Sequence, residues 1–453
     1  MINILRTTFP RWHLRIAQFR SGQIVWPLIF VGFSVLCVKF IALVKEQVVA
    51  SQFGTSDVYE AFLMAFMLPS LVSSIISGGI YAAVMPTYVE VAEREGSALA
   101  QKLADNVMAL VLLFLLGASL LLTLLAPLAF TILGSSFNQE KLSLTKTLFF
   151  LLLPILPVTC LTSLWGTFLN SRRNFLIVSL VPVLTSLIII VSLLSYRDPI
   201  NPYLLTAATL GGAVVEALAM ALAIRRKGLA ISLRWHGFDG HTKNVVHQFK
   251  SMVAGTFLLG ATGPVDQIMA ATLESGSLAA LNYGSRIINA GLSIGVTTLG
   301  TVVFPYFSAL EARAERKQLV MFVASYSKKL FWLSLLGSLM IWYFSEAIVR
   351  LVFERGAFTA ADTTVVASVQ AMASIQIPFY LVGTLIVRAI SAVKRNDILL
   401  ISAALSLPID VLLNYAFMKV MGVAGIALST SLVYLGSSLF TYLMLKKALR
   451  EFP

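Results

Sequence analysis

Ionisable side chains are rare in the most apolar stretches of this chain, so the few that interrupt them are the first places to look for chemistry. A charge near the centre of a bilayer costs at least ~2.5 to 3.5 kcal/mol on insertion scales. Lys39 lies towards one end of an apolar run, with Lys45 and Glu46 just beyond it, and Arg286 is set deep in another. An arginine in a water-filled cavity offers a planar fork suited to phosphate oxygens. Asp266 and Asp410 interrupt two further runs, and Asn414 follows Asp410 by one helical turn on the same face. Two carboxylates and an amide oxygen so placed could ligate Na⁺ or relay a proton. Plainer readings stay open: Lys39 can snorkel to the surface, and either aspartate can simply pair with Arg286 or a backbone donor. Glu216 and Arg388 are weaker candidates.

The elements that must position these residues are apolar helices. Residues are 58% apolar or aromatic and only 12% charged, against about 25% charged in a soluble domain. With a mean hydropathy of +0.86, most of the chain belongs in lipid. Twelve runs are long enough to cross the hydrocarbon, which takes about 20 residues each. They cover 24–44, 61–85, 106–130, 147–169, 174–195 and 203–224, then 251–272, 277–307, 329–349, 364–393, 398–418 and 423–445. The first run is too long for a signal-peptide core and no convincing cleavage site follows it, so it reads as a retained helix.

The expected organisation is a basic N-terminal segment (1–23), a six-helix bundle (24–224), a linker (225–250) and a second six-helix bundle (251–453). Placing both termini in the cytoplasm puts most Lys and Arg on the inner side. Only Lys45, Lys141, Lys146, Arg197, Arg350, Arg355 and Lys419 lie in the outer segments. That bias accounts for the net charge of +13 without nucleic acid. An even number of spans per half lets the halves be parallel repeats about an axis along the membrane normal. The echo of Gly166-Thr167 and Arg172-Arg173-Asn174 in Gly383-Thr384 and Lys394-Arg395-Asn396 supports this weakly.

Catalytic and cofactor motifs are missing. The two cysteines, Cys37 and Cys160, lie in apolar runs and suggest neither a disulfide framework nor a zinc site. His236, His241 and His247 share the linker at a spacing that fits no common metal motif. There is no GxGxxG, Walker A or H-E-x-x-H pattern, so a transporter driven by an ion gradient or by membrane potential is expected rather than a pump or an enzyme. Breakers such as Pro69, Gly78, Gly79, Pro154, Pro157, Gly260, Gly263, Pro264 and Pro408 suggest interrupted helices around a cavity.

Three blocks carry a resemblance. The first is Lys45-Glu46 through Phe53-Gly54, Glu60-Ala61-Phe62, Ala65-Phe66-Met67-Leu68-Pro69, Gly79 and Pro86. The second runs from Ser275-Gly276-Ser277 through Tyr283, Arg286, Gly295, Leu299-Gly300-Thr301 and Pro305. The third is Phe353-Glu354-Arg355-Gly356-Ala357-Phe358-Thr359, continued by Lys394 to Asp397, Asn414 and Gly422 to Gly425. Together they resemble the MurJ/MviN lipid II flippase family over nearly the whole chain.

The resemblance implies an all-α polytopic membrane protein of the multidrug/oligosaccharidyl-lipid/polysaccharide exporter fold, with two six-helix bundles around a central cavity that rocks between inward-open and outward-open states. It implies substrate-binding roles for Lys39, Lys45, Arg286 and Glu60, and ion-coupling roles for Asp266, Asp410 and Asn414, with Na⁺ or H⁺ as coupling ion and no other cofactor. Departures are specific: Ser73-Ser74 stand where the family usually has an arginine pair, Gly78 replaces a glutamate, two family arginines are lysines, and the family's two usual extra C-terminal helices are not expected within these 453 residues.

The expected function is therefore a flippase of the bacterial inner membrane for a polyprenyl-diphosphate-linked glycan, either an exopolysaccharide-type repeat unit or lipid II. Its expected partners are that glycan, membrane lipids and a glycan polymerase or glycosyltransferases. The competing readings are a cation-coupled exporter of small amphipathic molecules on the same fold and a non-transporting scaffold of a glycan assembly complex.

Overall fold

The computed structural model describes residues 22–134, 136–172, 174–196, 200–229, 232–313 and 315–450. The expected basic segment at the start of the chain, with Arg6, Arg11, Arg15 and Arg20, lies outside the described residues. Among the described residues every regular element is a helix. In chain order they are α1 (Gly22–Phe53), α2 (Asp57–Arg94), α3 (Ser97–Leu133), α4 (Gln139–Leu152), α5 (Ile155–Ser171), α6 (Phe175–Leu180), α7 (Val183–Ser195) and α8 (Pro202–Arg226). Then follow α9 (Gly240–Gly260), α10 (Thr262–Ala271), α11 (Ser277–Ala312), α12 (Arg316–Tyr343), α13 (Ser345–Phe353), α14 (Ala360–Ser374), α15 (Gln376–Ala392), α16 (Asp397–Met421) and α17 (Val423–Arg450).

Nine helical stretches among the described residues are long and apolar enough to cross a membrane. The three remaining apolar runs fall on α1, on α9 with α10, and on α11. The surface confirms the solvent that the composition points to. Leu113, Leu116, Leu120, Leu124 and Leu128 form an outward stripe along α3, each 60% exposed or more. Glu46, Glu60, Lys141, Asp410, Asn414 and Gln370 are buried. Polar groups inside and leucines outside invert the arrangement of a soluble protein.

Helix boundaries have local causes. Ser56, Asn138, Asn201 and Asp239 cap α2, α4, α8 and α9 by accepting backbone N–H groups of the first turn, and Thr359 with Asp362 forms a capping box on α14. Pro154 divides α4 from α5 and Pro182 divides α6 from α7, whereas Pro69, Pro86 and Pro408 sit inside continuous helices. Neighbouring helices and hydroxyl side chains can satisfy the freed carbonyls, so a proline in a membrane helix need not end it. The break at Ala261 separates α9 from α10.

Helices α1 to α8 pack mainly among themselves, α2 lying on α4 and α5, and α1 and α8 on α7. Helices α10 to α17 form a second set around α11, α15 and α17. Helix α9 crosses between them and packs along α2 as well as α16. Its approach to α2 is close: a Cβ on Gly79 would lie 3.0 Å from the Phe249 ring. The linker before α9 is pinned to α3, where the buried Asn106 donates to Gly237 O (2.9 Å) and Thr242 Oγ1 (3.1 Å) and accepts the His236 N–H (2.7 Å). His236 Nε2 lies 3.2 Å from Asp105 Oδ2 and His241 Nε2 lies 3.0 Å from Glu95 Oε1, so these two of the linker histidines contact carboxylates of the first set.

Candidate functional site

The two helix sets meet at the end of the molecule that carries the 54–56 turn, and the contacts there are built from the motif residues. Glu60, 2% exposed, reaches from α2 to the first turn of α11, where its Oε1 accepts the N–H of Leu278 (2.7 Å) and of Ala279 (3.3 Å). A carboxylate suits that position because the free N–H groups of a helix start carry partial positive charge. Lys141, also buried, pairs with Glu60 and with Asp57 (2.6 Å), and Asp57 accepts from Ser275 Oγ (2.7 Å). Glu60 is thus placed in a strut between the two sets and lines none of the chambers described below.

The loop Phe353–Thr359 completes this junction. Ala357 N–H donates to Ser51 O at 2.8 Å, and Gln47 Nε2 donates to Val352 O at 2.8 Å. Gly54 and Gly356 both have positive φ (53° and 59°), and a Cβ on Gly356 would stand 2.2 Å from Ser51 O. Only glycine allows that approach in that conformation. Phe353 and Phe358 pack around Tyr283 of α11, with ring centroids at 5.3 and 5.6 Å, and Tyr283 stacks on Tyr59 of α2 at 5.1 Å.

Beneath this junction lies a three-residue ion cluster. Glu46 of α1 is 5% exposed, and its Oε1 contacts both Lys45 Nζ (2.9 Å) and Arg286 Nε (3.4 Å) of α11. The structure therefore brings Lys45 and Arg286 together from opposite helix sets on a shared carboxylate. Glu46 entered the sequence reading only as a neighbour of Lys45; the adjacent Lys-Glu pair was the available signal. Arg286 keeps 46% of its side chain exposed, with Asn282 Oδ1 at 3.1 Å from Nε. Lys39 is exposed, further along α1, and does not join the cluster.

Among the described residues three cavities are linked in turn by shared lining residues. The middle one, about 220 Å³, is lined by Lys45, Glu46, Tyr59, Phe66, Thr185, Glu216 and Arg286 among others. Arg286 also lines a chamber of about 270 Å³ in the second helix set, with Asp266, Gln267, Asn289, Gln376, Thr430 and Tyr434. On the other side, Phe66, Ile155 and Thr159 are shared with a chamber of about 260 Å³ along α2. Arg286 thus has both enough water-accessible space and enough neighbouring polarity to meet a charged ligand.

Asp266, Asp410 and Asn414 do come together. Asp266 Oδ1 accepts from Asn414 Nδ2 (2.7 Å) and Oδ2 from Thr430 Oγ1 (2.9 Å). Asp410 and Asn414 are 0% exposed, and both Asp410 carboxylate oxygens and Asn414 Oδ1 are buried without a hydrogen-bond partner. Burying an acceptor without a donor is costly, and burying an unpaired carboxylate far more so. Such oxygens call for a proton or a cation, and carboxylate, amide and hydroxyl oxygens are hard donors that match an alkali cation. Arg286 pairs with Glu46 rather than with either aspartate. Thr430 has no counterpart in the sequence reading. Among the described residues no group of three or more His, Cys, Asp or Glu gathers to hold a metal.

Known proteins share this architecture. Residues 49–453 match the family model described as "Lipid II flippase MurJ". A probable lipid II flippase MurJ of Rhizobium tropici is 25% identical over 79% of this chain and 69% of its own length. One of Synechocystis is 26% identical over 92% of this chain and 81% of the relative, and the lipid II flippase MurJ of Burkholderia cenocepacia is 23% identical over 92% and 82%. Among solved structures, a lipid II flippase MurJ in an inward closed conformation superposes with a TM-score of 0.79 at 21% identity, covering 92% of this chain and 87% of that one. An inward-facing multidrug resistance MATE transporter gives 0.74 at 15% identity, covering 93% and 99%. The chain is a polytopic membrane protein of this transporter fold, and it belongs to the MurJ family of flippases, which are transporters rather than enzymes.

Proposed function

We propose that the chain moves a polyprenyl-diphosphate-linked glycan across the bacterial inner membrane by alternating access. The observation that carries this reading is the Lys45–Glu46–Arg286 cluster, in which two cations from different helix sets share one carboxylate at a water-accessible chamber. A diphosphate brings more negative charge than Glu46 and can use the guanidinium fork bidentately. On this reading Glu46 holds the cations until substrate arrives. The junction around Glu60 then closes the periplasmic end, with the linker and both termini on the cytoplasmic side. Lipid II is the member of this substrate class that the relatives' names designate, and exopolysaccharide repeat units share its diphosphate.

Charge reversal tests the reading: Arg286→Glu is expected to insert normally and to abolish translocation, and full activity in that variant would overturn the assignment.

A second reading concerns energy. The orphan oxygens of Asp410 and Asn414 beside Asp266 support coupling to Na⁺ or H⁺ at that cluster. Transport by the wild type that is indifferent to both ion gradients would remove it. Glycan polymerases or glycosyltransferases are proposed as partners on the same basis as the substrate class, since they consume or build the carried glycan.

A further inference from the structure

Glu216 of α8 is an acidic group of the middle chamber that the cation cluster leaves out. It stands near the middle of its helix, at a depth where an ionised carboxylate is costly, and it lines the same chamber of about 220 Å³ as Lys45, Glu46 and Arg286. Glu46 touches two cations. Glu216 touches none: among the described residues it makes no ion pair, and the hydrogen bond to its carboxylate comes from Thr185 Oγ1 of α7 at 2.7 Å. That donor is held by close packing, since one turn before Glu216 a Cβ on Gly212 would lie 2.9 Å from Thr185 Cα. The other titratable or charged groups on the chamber wall are Lys45 and Glu46 of α1, Tyr59 of α2 and Arg286 of α11, while α5 and α7 present the neutral Thr159 and Thr185. Helices α4 and α6, which also pack on α8, add nothing to the lining.

Charge balance decides what must happen when a diphosphate enters. Beforehand the two cations of the wall match its two carboxylates. A diphosphate diester adds a negative charge on each phosphate, which leaves the occupied chamber anionic in surroundings of low dielectric. A proton is the smallest charge that moves this balance back, and a side chain must take it, because the phosphates of a diester stay ionised near neutral pH. Glu46 has Lys45 and Arg286 against its Oε1, at 2.9 and 3.4 Å, and keeps them as neighbours when they turn to a ligand. Glu216 has a neutral hydroxyl, so its charge is the one that no cation of the wall offsets.

We propose that Glu216 is a proton site: ionised in the empty chamber, it takes a proton from solvent onto its carboxylate as the diphosphate binds, and returns it as the diphosphate leaves. The inference rests on the diphosphate reading above. It is separate from the Asp266, Asp410 and Asn414 cluster, which lies in the other helix set, and it makes each carried diphosphate travel with a proton.

The test uses the purified full chain in nanodiscs with undecaprenyl-diphosphoryl N-acetylglucosamine, a diphosphate diester, and a pH-indicator dye in weakly buffered solution to count protons taken up on binding. The wild type should take up about one proton per carrier bound. Because the complex then holds a proton more than the free protein, affinity should fall by up to about tenfold per unit as pH rises between about 6 and 8.5. Glu216→Gln keeps the shape and an acceptor for Thr185. It should take up no proton, bind with an affinity independent of pH, and bind more tightly than the wild type at the alkaline end. Thr185→Val, nearly isosteric, removes the donor that supports the ionised form and should lower the uptake with the carboxyl group still present. No uptake by the wild type, or undiminished uptake in either variant, overturns the proton site; with binding lost in Arg286→Glu, the diphosphate reading still stands. Failure of the wild type to bind the carrier, or undiminished binding by Arg286→Glu, overturns that reading and the proton site with it.

Discussion

Glu60→Gln isolates what the junction between the helix sets contributes. The glutamine is isosteric and can still accept a backbone N–H, so the change removes charge rather than shape. Hydrogen bonds to a charged group contribute about 1.5 to 3 kcal/mol against about 0.5 to 1.5 for neutral ones. The 2.7 Å bond from Leu278 N should lose about 1 to 1.5 kcal/mol and the 3.3 Å bond from Ala279 N less. The favourable interaction with the start of α11 adds about 0.3 to 1 kcal/mol. Lys141 retains Asp57 at 2.6 Å, which limits damage within the first helix set. The junction should therefore open more readily by about 2 kcal/mol, or about thirtyfold in population.

A cysteine at Ala279, which is 0% exposed, reports opening in a background lacking Cys37 and Cys160. Its thiol-labelling rate should rise about thirtyfold in Glu60→Gln, in the regime where labelling follows the open population. A cysteine at Ala389, also 0% exposed and remote from the junction, should stay protected. Unchanged labelling at Ala279 would refute the strut, and equal labelling at both positions would mean general unfolding instead.

Other substitutions probe the same account. Gly356→Ala should open the junction as well, because it adds about 1 to 2 kcal/mol of backbone strain at φ 59° and a Cβ facing Ser51 O; normal labelling at Ala279 would argue against it. Arg286→Lys should retain partial transport in vesicles, since a lysine already serves at Lys45, and a total loss would show that the planar fork is indispensable. Asp410→Asn should raise the melting temperature in cation-free buffer by removing one of two carboxyl groups buried beside each other. It should also abolish any stabilisation by added Na⁺, which for an intact site reaches about 2.7 kcal/mol at a hundredfold excess over Kd. An undiminished Na⁺ effect in that variant would place the cation elsewhere.

The fold was legible because hydropathy is a strong signal when a run must span lipid, and the twelve apolar runs coincide with helices or helix pairs. The interruption at Pro154 was readable in advance, but Pro69 and Pro408 look equally disruptive in sequence and are absorbed into continuous helices by their neighbours. Within the site, Arg286 and the Asp266, Asp410, Asn414 trio stood out because charge and amide groups are rare in such runs. Pairing was not legible. Glu60 and Lys141 are 81 residues apart and Glu46 and Arg286 lie on different helix sets, so nothing in local spacing announces either contact. Lys39 illustrates the converse: its position in an apolar run draws attention, yet it is exposed and apart from the cluster.

Translocation in proteoliposomes tests the central claim most directly. Lipid II and an exopolysaccharide repeat unit, each on its polyprenyl diphosphate, would be followed with and without a Na⁺ gradient or membrane potential, alongside Arg286→Glu. The account predicts that the wild type moves at least one of them faster than empty vesicles do and that Arg286→Glu moves neither. No movement of either glycan under any gradient, or equal movement by the two proteins, would contradict it.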